Sequence, residues 1–119
     1  MRVLIVESNP KLGWLWGRHL QRQGAEVFPA KSQAEAISVL QTRDIDVIIL
    51  DLVLEDGSAF AVADFASYRQ PDTRVIFVTN TQFFSDGSIF RHFANACALM
   101  PRGVPPEDLG ALVEHYATH

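Results

Sequence analysis

The sequence is poor in cysteine and has no long apolar run. Its one cysteine, Cys97, excludes an intrachain disulfide and suits a reducing compartment. No apolar stretch approaches the roughly 20 residues that cross a bilayer. The amino-terminal run MRVLIV is too short for a secretory signal. We therefore expect a cytoplasmic chain without a membrane partner.

An excess of positive charge is also missing. Lysine and arginine together number 10 against 14 aspartate and glutamate residues, which gives a formal charge of −4 at pH 7. Proteins that bind DNA or RNA through the phosphate backbone need a basic surface. We therefore expect no nucleic-acid partner.

The length and the apolar content suit one compact unit. The chain has 119 residues, of which 48% are hydrophobic, and no repeat or low-complexity linker interrupts it. A chain of this size buries enough apolar surface for one core without disulfide support. Residues 1–119 are therefore predicted to form a single domain.

Apolar runs alternate with amphipathic segments along the chain. Runs bounded by polar turn residues predict strands at Val3–Val6, Glu26–Phe28, Val47–Leu50, Arg74–Val78 and Ala96–Leu99. Capping and helix-starting signals predict helices after Asn9-Pro10, after Ser32, after Ser58, at Ser85–Phe93 and after Pro105-Pro106. Strands that alternate with helices imply an α/β domain of the (βα)₅ type with parallel strands.

Polar residues follow the predicted strands. In an open parallel sheet, the functional crevice lies at the carboxyl ends of the strands. The residues at those ends are Glu7 and Ser8, Asp51, Thr79 and Asn80, and Met100 and Pro101. We expect their side chains to lie near one another.

Asp51 is the central candidate because it directly follows the apolar run VIIL. An unpaired carboxylate is costly at the end of a buried strand, and an ordinary turn or helix-capping aspartate is the simplest interpretation. Glu7, at the matching end of the first strand, weakens that interpretation because two neighbouring acids repel unless a cation or proton intervenes. Mg²⁺ prefers such oxygen ligands. With the Thr79 hydroxyl, these groups would be the parts that phosphoryl transfer to aspartate needs.

Four segments in order and spacing resemble the receiver domains of two-component signalling. The segments are VLIVESNP, DVIILDLVLEDGSAF, RVIFVTN and ALMPRGVPPEDL, and the resemblance covers nearly the whole chain. It implies a flavodoxin-like, doubly wound parallel sheet with strand order 2-1-3-4-5. It also implies signal transduction in a phosphorelay, with a histidine kinase or phosphotransfer protein upstream and an output protein or a second copy downstream.

The resemblance also implies residue roles. Asp51 corresponds to the phosphoacceptor and Thr79 to the switch hydroxyl. Glu7, Asp51 and the backbone carbonyl of Val53 correspond to ligands of Mg²⁺. The Met100–Pro101 bond stands where receivers often hold a cis peptide, which we therefore expect here.

Several positions depart from the family pattern. Ser8 replaces a second acid that normally binds the metal, Met100 replaces a lysine, and Cys97 replaces an aromatic switch residue. Asn80 stands where a small residue is usual. These departures predict a weak Mg²⁺ site or none. Arg102 is either a solvated surface arginine, the default expectation, or a substitute for the missing lysine.

Exposed aromatic residues are candidates for a partner interface. The spacing of the first helix predicts a buried stripe of Leu12, Leu15, Trp16, His19 and Leu20. Trp14 then lies on the outer face, either as an ordinary surface aromatic or as an anchor for a partner. The region of the fourth helix carries Phe83, Phe84 and Phe90, more aromatic surface than one short helix can bury.

Two functions remain open from the sequence. One is a phosphoacceptor receiver, which Asp51 and Thr79 favour. The other is a phosphorylation-independent pseudo-receiver that acts as a protein-interaction or dimerisation module, which Ser8, Met100 and Cys97 favour. An enzyme or flavin carrier of the same fold is disfavoured because no glycine-rich phosphate loop is present.

Overall fold

Five short strands form one parallel sheet in the computed structural model, which describes residues 1–80 and 88–118. The strands are β1 (Arg2–Val6), β2 (Glu26–Ala30), β3 (Val47–Asp51), β4 (Arg74–Val78) and β5 (Ala96–Met100). Their order is β2-β1-β3-β4-β5, and all neighbouring pairs are parallel. The predicted fold class and strand order are confirmed.

Helices connect the strands and cover both faces of the sheet. They are α1 (Pro10–Arg22), α2 (Gln33–Thr42), α3 (Ala59–Arg69), α4 (Ser88–His92) and α5 (Pro106–Thr118). The first part of the helix predicted at Ser85–Phe93 lies outside the described residues.

Two of the predicted capping residues form the expected contacts. The Asn9 side chain accepts hydrogen bonds from the backbone N–H groups of Lys11 and Leu12 at the start of α1. The Ser32 hydroxyl accepts one from the backbone N–H of Glu35, 3.2 Å away, at the start of α2. Such caps satisfy donors that a helix end otherwise leaves unpaired.

The sheet separates two apolar clusters. Strand β3 is buried along its whole length, because one cluster packs under α2 and α3 and the other under α1 and α5. Trp16 and Leu20 of α1 are buried in the second cluster. The expectation for Leu15 was wrong: its side chain is 45% exposed, because α1 turns that position away from the sheet.

No helix within residues 1–80 and 88–118 combines the length and the apolar character that crossing a membrane requires.

The turn after β3 is held to the start of α2. The backbone N–H of Gln33 donates to the carbonyl of Asp56, and the Gln33 side chain accepts from the backbone N–H of Ser58. Gly57, which lies between Asp56 and Ser58, has a φ of +97°. A Cβ there would lie 2.3 Å from Cβ of Gln33. Both its backbone conformation and its surroundings therefore require glycine.

We predict that Gly57→Ala lowers the free energy of unfolding by about 1–3 kcal/mol, because alanine strains the left-handed backbone and meets Gln33. Denaturant unfolding measures the loss. Gly103→Ala is the matched control, since no atom lies within 4 Å of the added Cβ at that loop glycine. Equal stability of the two variants would contradict the prediction.

Candidate functional site

Three buried polar residues lie at the carboxyl edge of the sheet. Glu7 follows β1, Asp51 ends β3 and Thr79 follows β4, and they are 3%, 2% and 6% exposed. The strand pairing brings them together. The backbone N–H of Thr79 donates to the carbonyl of Met100, and that of Leu52 donates to the carbonyl of Val78. The structure thus places the two acids and Thr79 at the same edge of the sheet.

The guanidinium of Arg102 lies between the two carboxylates. Its Nη2 atom donates a hydrogen bond to Oε1 of Glu7, and its Nε atom forms an ion pair with Oδ2 of Asp51 at 3.1 Å. Arg102 reaches this position from the turn after β5, where the backbone N–H of Val104 donates to the carbonyl of Pro101. The default expectation of a solvated surface arginine is therefore wrong.

Both carboxylate oxygens of Asp51 have partners within the protein. While Oδ2 faces Arg102, Oδ1 accepts a hydrogen bond from the backbone N–H of Val53 at 3.0 Å. Asp51 thereby fixes the first residues of the loop after β3. The side chain of Val53 itself is exposed.

Glu7 has an unusual electrostatic environment. Its side chain is buried, and its Oε2 atom has no hydrogen-bond partner among the described residues. Burial, followed by the interaction with Asp51, raises the pKa of Glu7 from 4.5 to about 7, while Arg102 acts in the opposite direction. The contact with Glu7 in turn raises the pKa of the Arg102 guanidinium.

Ser8 forms two hydrogen bonds with the backbone of neighbouring loops. Its hydroxyl donates to the backbone carbonyl of Lys31 at 3.2 Å and accepts from the backbone N–H of Glu55 at 2.9 Å. Ser8 therefore joins the loops that follow β1, β2 and β3. The sequence identifies Ser8 only as a missing acid, and no sequence signal reveals these contacts.

These residues do not fit a divalent cation. Mg²⁺ requires about six oxygen ligands at short distances. Here the two carboxylates already hold Arg102, and the Ser8 hydroxyl is engaged with the backbone. In residues 1–80 and 88–118, no three histidine, cysteine or acidic side chains are grouped to hold a metal ion.

The remaining departures lie in and after β5. Met100 is half-buried and packs on the cluster beneath α1 and α5. Cys97 is also half-buried, and its thiol donates to the carbonyl of Val75; burial raises the pKa of this thiol to about 11. The expected cis bond before Pro101 is wrong, since the described residues contain no cis peptide. The Met100 carbonyl stays paired with Thr79, which continues the β4–β5 pairing up to the turn.

The predicted interface residues fall into two groups. Trp14 is 62% exposed on α1, with the guanidinium of Arg18 lying 5.3 Å from the centre of its ring. Phe90, on α4, is 41% exposed. Phe83 and Phe84 lie outside the described residues. The exposed Leu15 joins Trp14, Pro10 and Lys11 around a shallow depression on α1, which extends the surface predicted from Trp14.

Comparisons with known proteins identify the family of the chain. The family model described as the response regulator receiver domain matches residues 3–89. The regulatory protein RegA of Cereibacter sphaeroides is 30% identical over 77 residues, and the acid tolerance regulatory protein ActR of Rhizobium meliloti is 34% identical over 77 residues. Each alignment covers 65% of this chain. The chain spans 41% and 40% of the lengths of these two relatives.

Solved structures show the same fold. A CheY-like receiver domain from Methanospirillum hungatei is 21% identical with a TM-score of 0.89, covering 98% of this chain and 93% of that chain. The non-phosphorylated HemR receiver domain of Leptospira biflexa is 23% identical with a TM-score of 0.87, covering 99% and 94%. A response regulator of Burkholderia pseudomallei, solved with a phosphorylated aspartic acid and a calcium ion, is 20% identical with a TM-score of 0.85, covering 98% and 68%.

The raised pKa of Glu7 predicts how stability depends on pH. The folded protein holds this proton more tightly than the unfolded chain, so the contribution of Glu7 is fully present below pH 4.5 and is lost as pH rises to about 7. The loss amounts to at most about 3 kcal/mol. Urea unfolding of the wild type and Glu7→Gln across this range measures it, because only the wild type should show this loss.

Glu114→Gln, which changes an exposed glutamate of α5, should keep the pH dependence of the wild type. Carboxyl NMR gives a direct check. The Glu7 signal should titrate near pH 7 in the wild type and at higher pH in Arg102→Gln, because the guanidinium lowers this pKa. A Glu7 midpoint near its ordinary value of 4.5 would contradict both expectations.

Proposed function

The chain belongs to the response regulator receiver domain family, and from that premise we propose that it signals through protein contacts without phosphorylation of Asp51. Receiver domains are signalling modules of two-component systems, and they act with histidine kinases and output domains. The fold of this chain is that of a receiver. The feature on which the proposal depends is that both carboxylate oxygens of Asp51 already have partners within the protein.

The observation that carries the proposal is that both oxygens of Asp51 are engaged. One accepts the Val53 N–H and the other faces the Arg102 guanidinium. To attack a phosphoryl group, an Asp51 oxygen would have to admit the phosphodonor beside the partner it already holds, at a residue that is only 2% exposed. Weakening the hydrogen bond or the ion pair costs free energy, so the geometry disfavours nucleophilic attack.

The other pocket positions support the same conclusion. The metal that normally assists the transfer has no suitable ligand set, since Ser8 binds backbone groups and Arg102 lies between the acids. Met100 brings no positive charge to a phosphoryl group. Cys97 offers no aromatic ring that could change position in response.

Phosphoryl acceptance on Asp51 is the second candidate. It is favoured by one observation: Asp51 pairs with Val78, the last residue of β4, and Thr79 directly follows that strand. A carboxylate nucleophile beside a hydroxyl is part of the arrangement that phosphoryl transfer to aspartate uses.

The proposal includes the setting of the domain. Residues 1–119 act as one non-enzymatic receiver unit in the cytoplasm. Trp14, with its neighbour Leu15, provides an apolar surface for the histidine kinase or phosphotransfer protein, since exposed tryptophan is enriched at binding hot spots. The surface that carries Phe90 serves an output protein or a second copy.

Incubation with a small phosphodonor and Mg²⁺, read by intact mass, tests the proposal. We expect no phosphoryl group on the wild type under conditions that label a phosphorylation-competent receiver run in parallel. Asp51→Asn is the matched control for the site of labelling. If the wild type gains one phosphoryl group and Asp51→Asn gains none, the second candidate is correct and the proposal is wrong.

Trp14 and Trp16 form a matched pair for testing the α1 surface, since Trp14 is 62% and Trp16 only 1% exposed. Trp14→Ala should leave the Tm almost unchanged and weaken binding of the upstream kinase or phosphotransfer protein by about 2 kcal/mol. Trp16→Ala should cost about 3–5 kcal/mol of stability. Thermal unfolding and calorimetric titration measure both. A large loss of stability in Trp14→Ala would place that residue in the core instead.

A further inference from the structure

We propose that Arg102 is a permanent internal replacement for the divalent cation, and that it keeps the acid pocket of Glu7 and Asp51 closed to Mg²⁺. The inference rests on the proposed function in treating this pocket as inactive in phosphoryl transfer. It adds the reason for the inactivity, and it predicts a latent metal site that appears when Arg102 is removed.

The position of the guanidinium is the first step. A cation that bridges two carboxylates must lie between them, and Arg102 does so, with Nη2 on Glu7 and Nε 3.1 Å from Asp51. Its planar fork can face two acids at once, which a lysine ammonium does less well. Mg²⁺ bridging the same two acids would need the same space between them, so the two cations compete for one place.

The covalent attachment of Arg102 to the chain favours the guanidinium over Mg²⁺ in that competition. Arg102 is joined to β5 through a single residue, Pro101, and the turn is closed by the hydrogen bond from the Val104 N–H to the Pro101 carbonyl. A charge attached this closely has a high effective concentration at the carboxylates. Dissolved Mg²⁺ must give up strongly held water to enter, and it must also displace the guanidinium. The side chain of Arg102 is only 31% exposed, so its release would be costly.

The acids explain why removing Arg102 would open a metal site. Glu7 already has a buried Oε2 atom without a hydrogen-bond partner in the described residues. Without Arg102, the carboxylates of Glu7 and Asp51 would lose the cation that now contacts both. Two neighbouring buried acids then require either a proton or another cation. The lost arginine also leaves space and free carboxylate oxygens, which is the setting that Mg²⁺ prefers.

Titration with Mg²⁺ alone, without a phosphodonor, tests the inference on the full chain. The proteins are wild type, Arg102→Met, Arg102→Met with Asp51→Asn, and the control Arg22→Met, which removes an exposed charge from the far end of α1. Calorimetry gives the affinity and thermal unfolding gives the Tm. We expect Arg102→Met to bind Mg²⁺ at least about tenfold more tightly than the wild type.

The Tm values should follow the same pattern. Mg²⁺ at about 10 mM should raise the Tm of Arg102→Met by several degrees and leave the wild type and Arg22→Met nearly unchanged. The added Asp51→Asn change should abolish the gain. Equal affinity of the wild type and Arg102→Met would overturn the inference, whether both bind Mg²⁺ or neither does.

A measurement on the wild type keeps the test valid if Arg102→Met does not fold. The Nε–H signal of Arg102 in a nitrogen-edited NMR spectrum should stay unchanged as Mg²⁺ is added, and displacement of the guanidinium would overturn the inference.

The proposed function and the inference about Arg102 can fail separately. Labelling of Asp51 in a wild type that excludes Mg²⁺ would refute only the proposed function, whereas Mg²⁺ binding without labelling would refute only the inference.

Discussion

The arrangement of residues at the carboxyl edge of this sheet depends on the ion cluster of Glu7, Asp51 and Arg102. Two carboxylates at the ends of neighbouring buried strands repel and cannot both remain charged without a cation. Arg102 supplies that cation from the turn after β5. Three chain segments that are distant in sequence are thereby tied at one point, and the turn becomes part of the same unit as β1 and β3. The raised pKa of Glu7 shows that one guanidinium only partly offsets the burial of two acids.

The residues Ser8 and Met100 are consistent with a pocket that contains one internal cation. Ser8 brings no negative charge to the pocket, and its hydroxyl connects the Lys31 and Glu55 backbones across the loops. Met100 brings no positive charge beside Arg102. One guanidinium therefore faces two acids. The loops are fixed by contacts within the protein, so their positions do not require a bound metal.

The fold could be predicted from the sequence because its signals are local. The VIIL run before Asp51, the Asn9 and Ser32 caps and the alternation of strands and helices each specify a nearby structure. The proximity of Glu7 and Asp51 could also be predicted from the sequence, since parallel strands end at one edge of the sheet. The sequence left two positions open for Arg102, because a turn of a few residues decides whether a long side chain reaches the pocket or the solvent. The same limit explains Leu15, whose place at the boundary of the helical stripe depends on how α1 is rotated against the sheet.

Asp51 therefore has a structural reason to be present, which changes what its presence implies. The carboxylate accepts the Val53 N–H and pairs with Arg102, so replacing it would remove the side-chain acceptor of that N–H and one of the two acids that face the guanidinium. Such losses destabilise a protein whether or not the aspartate ever carries a phosphoryl group. An aspartate at this position is thus not by itself evidence of phosphorylation in a receiver domain. The informative feature is the partner of its second oxygen, because an internal guanidinium there gives the pocket a fixed cation.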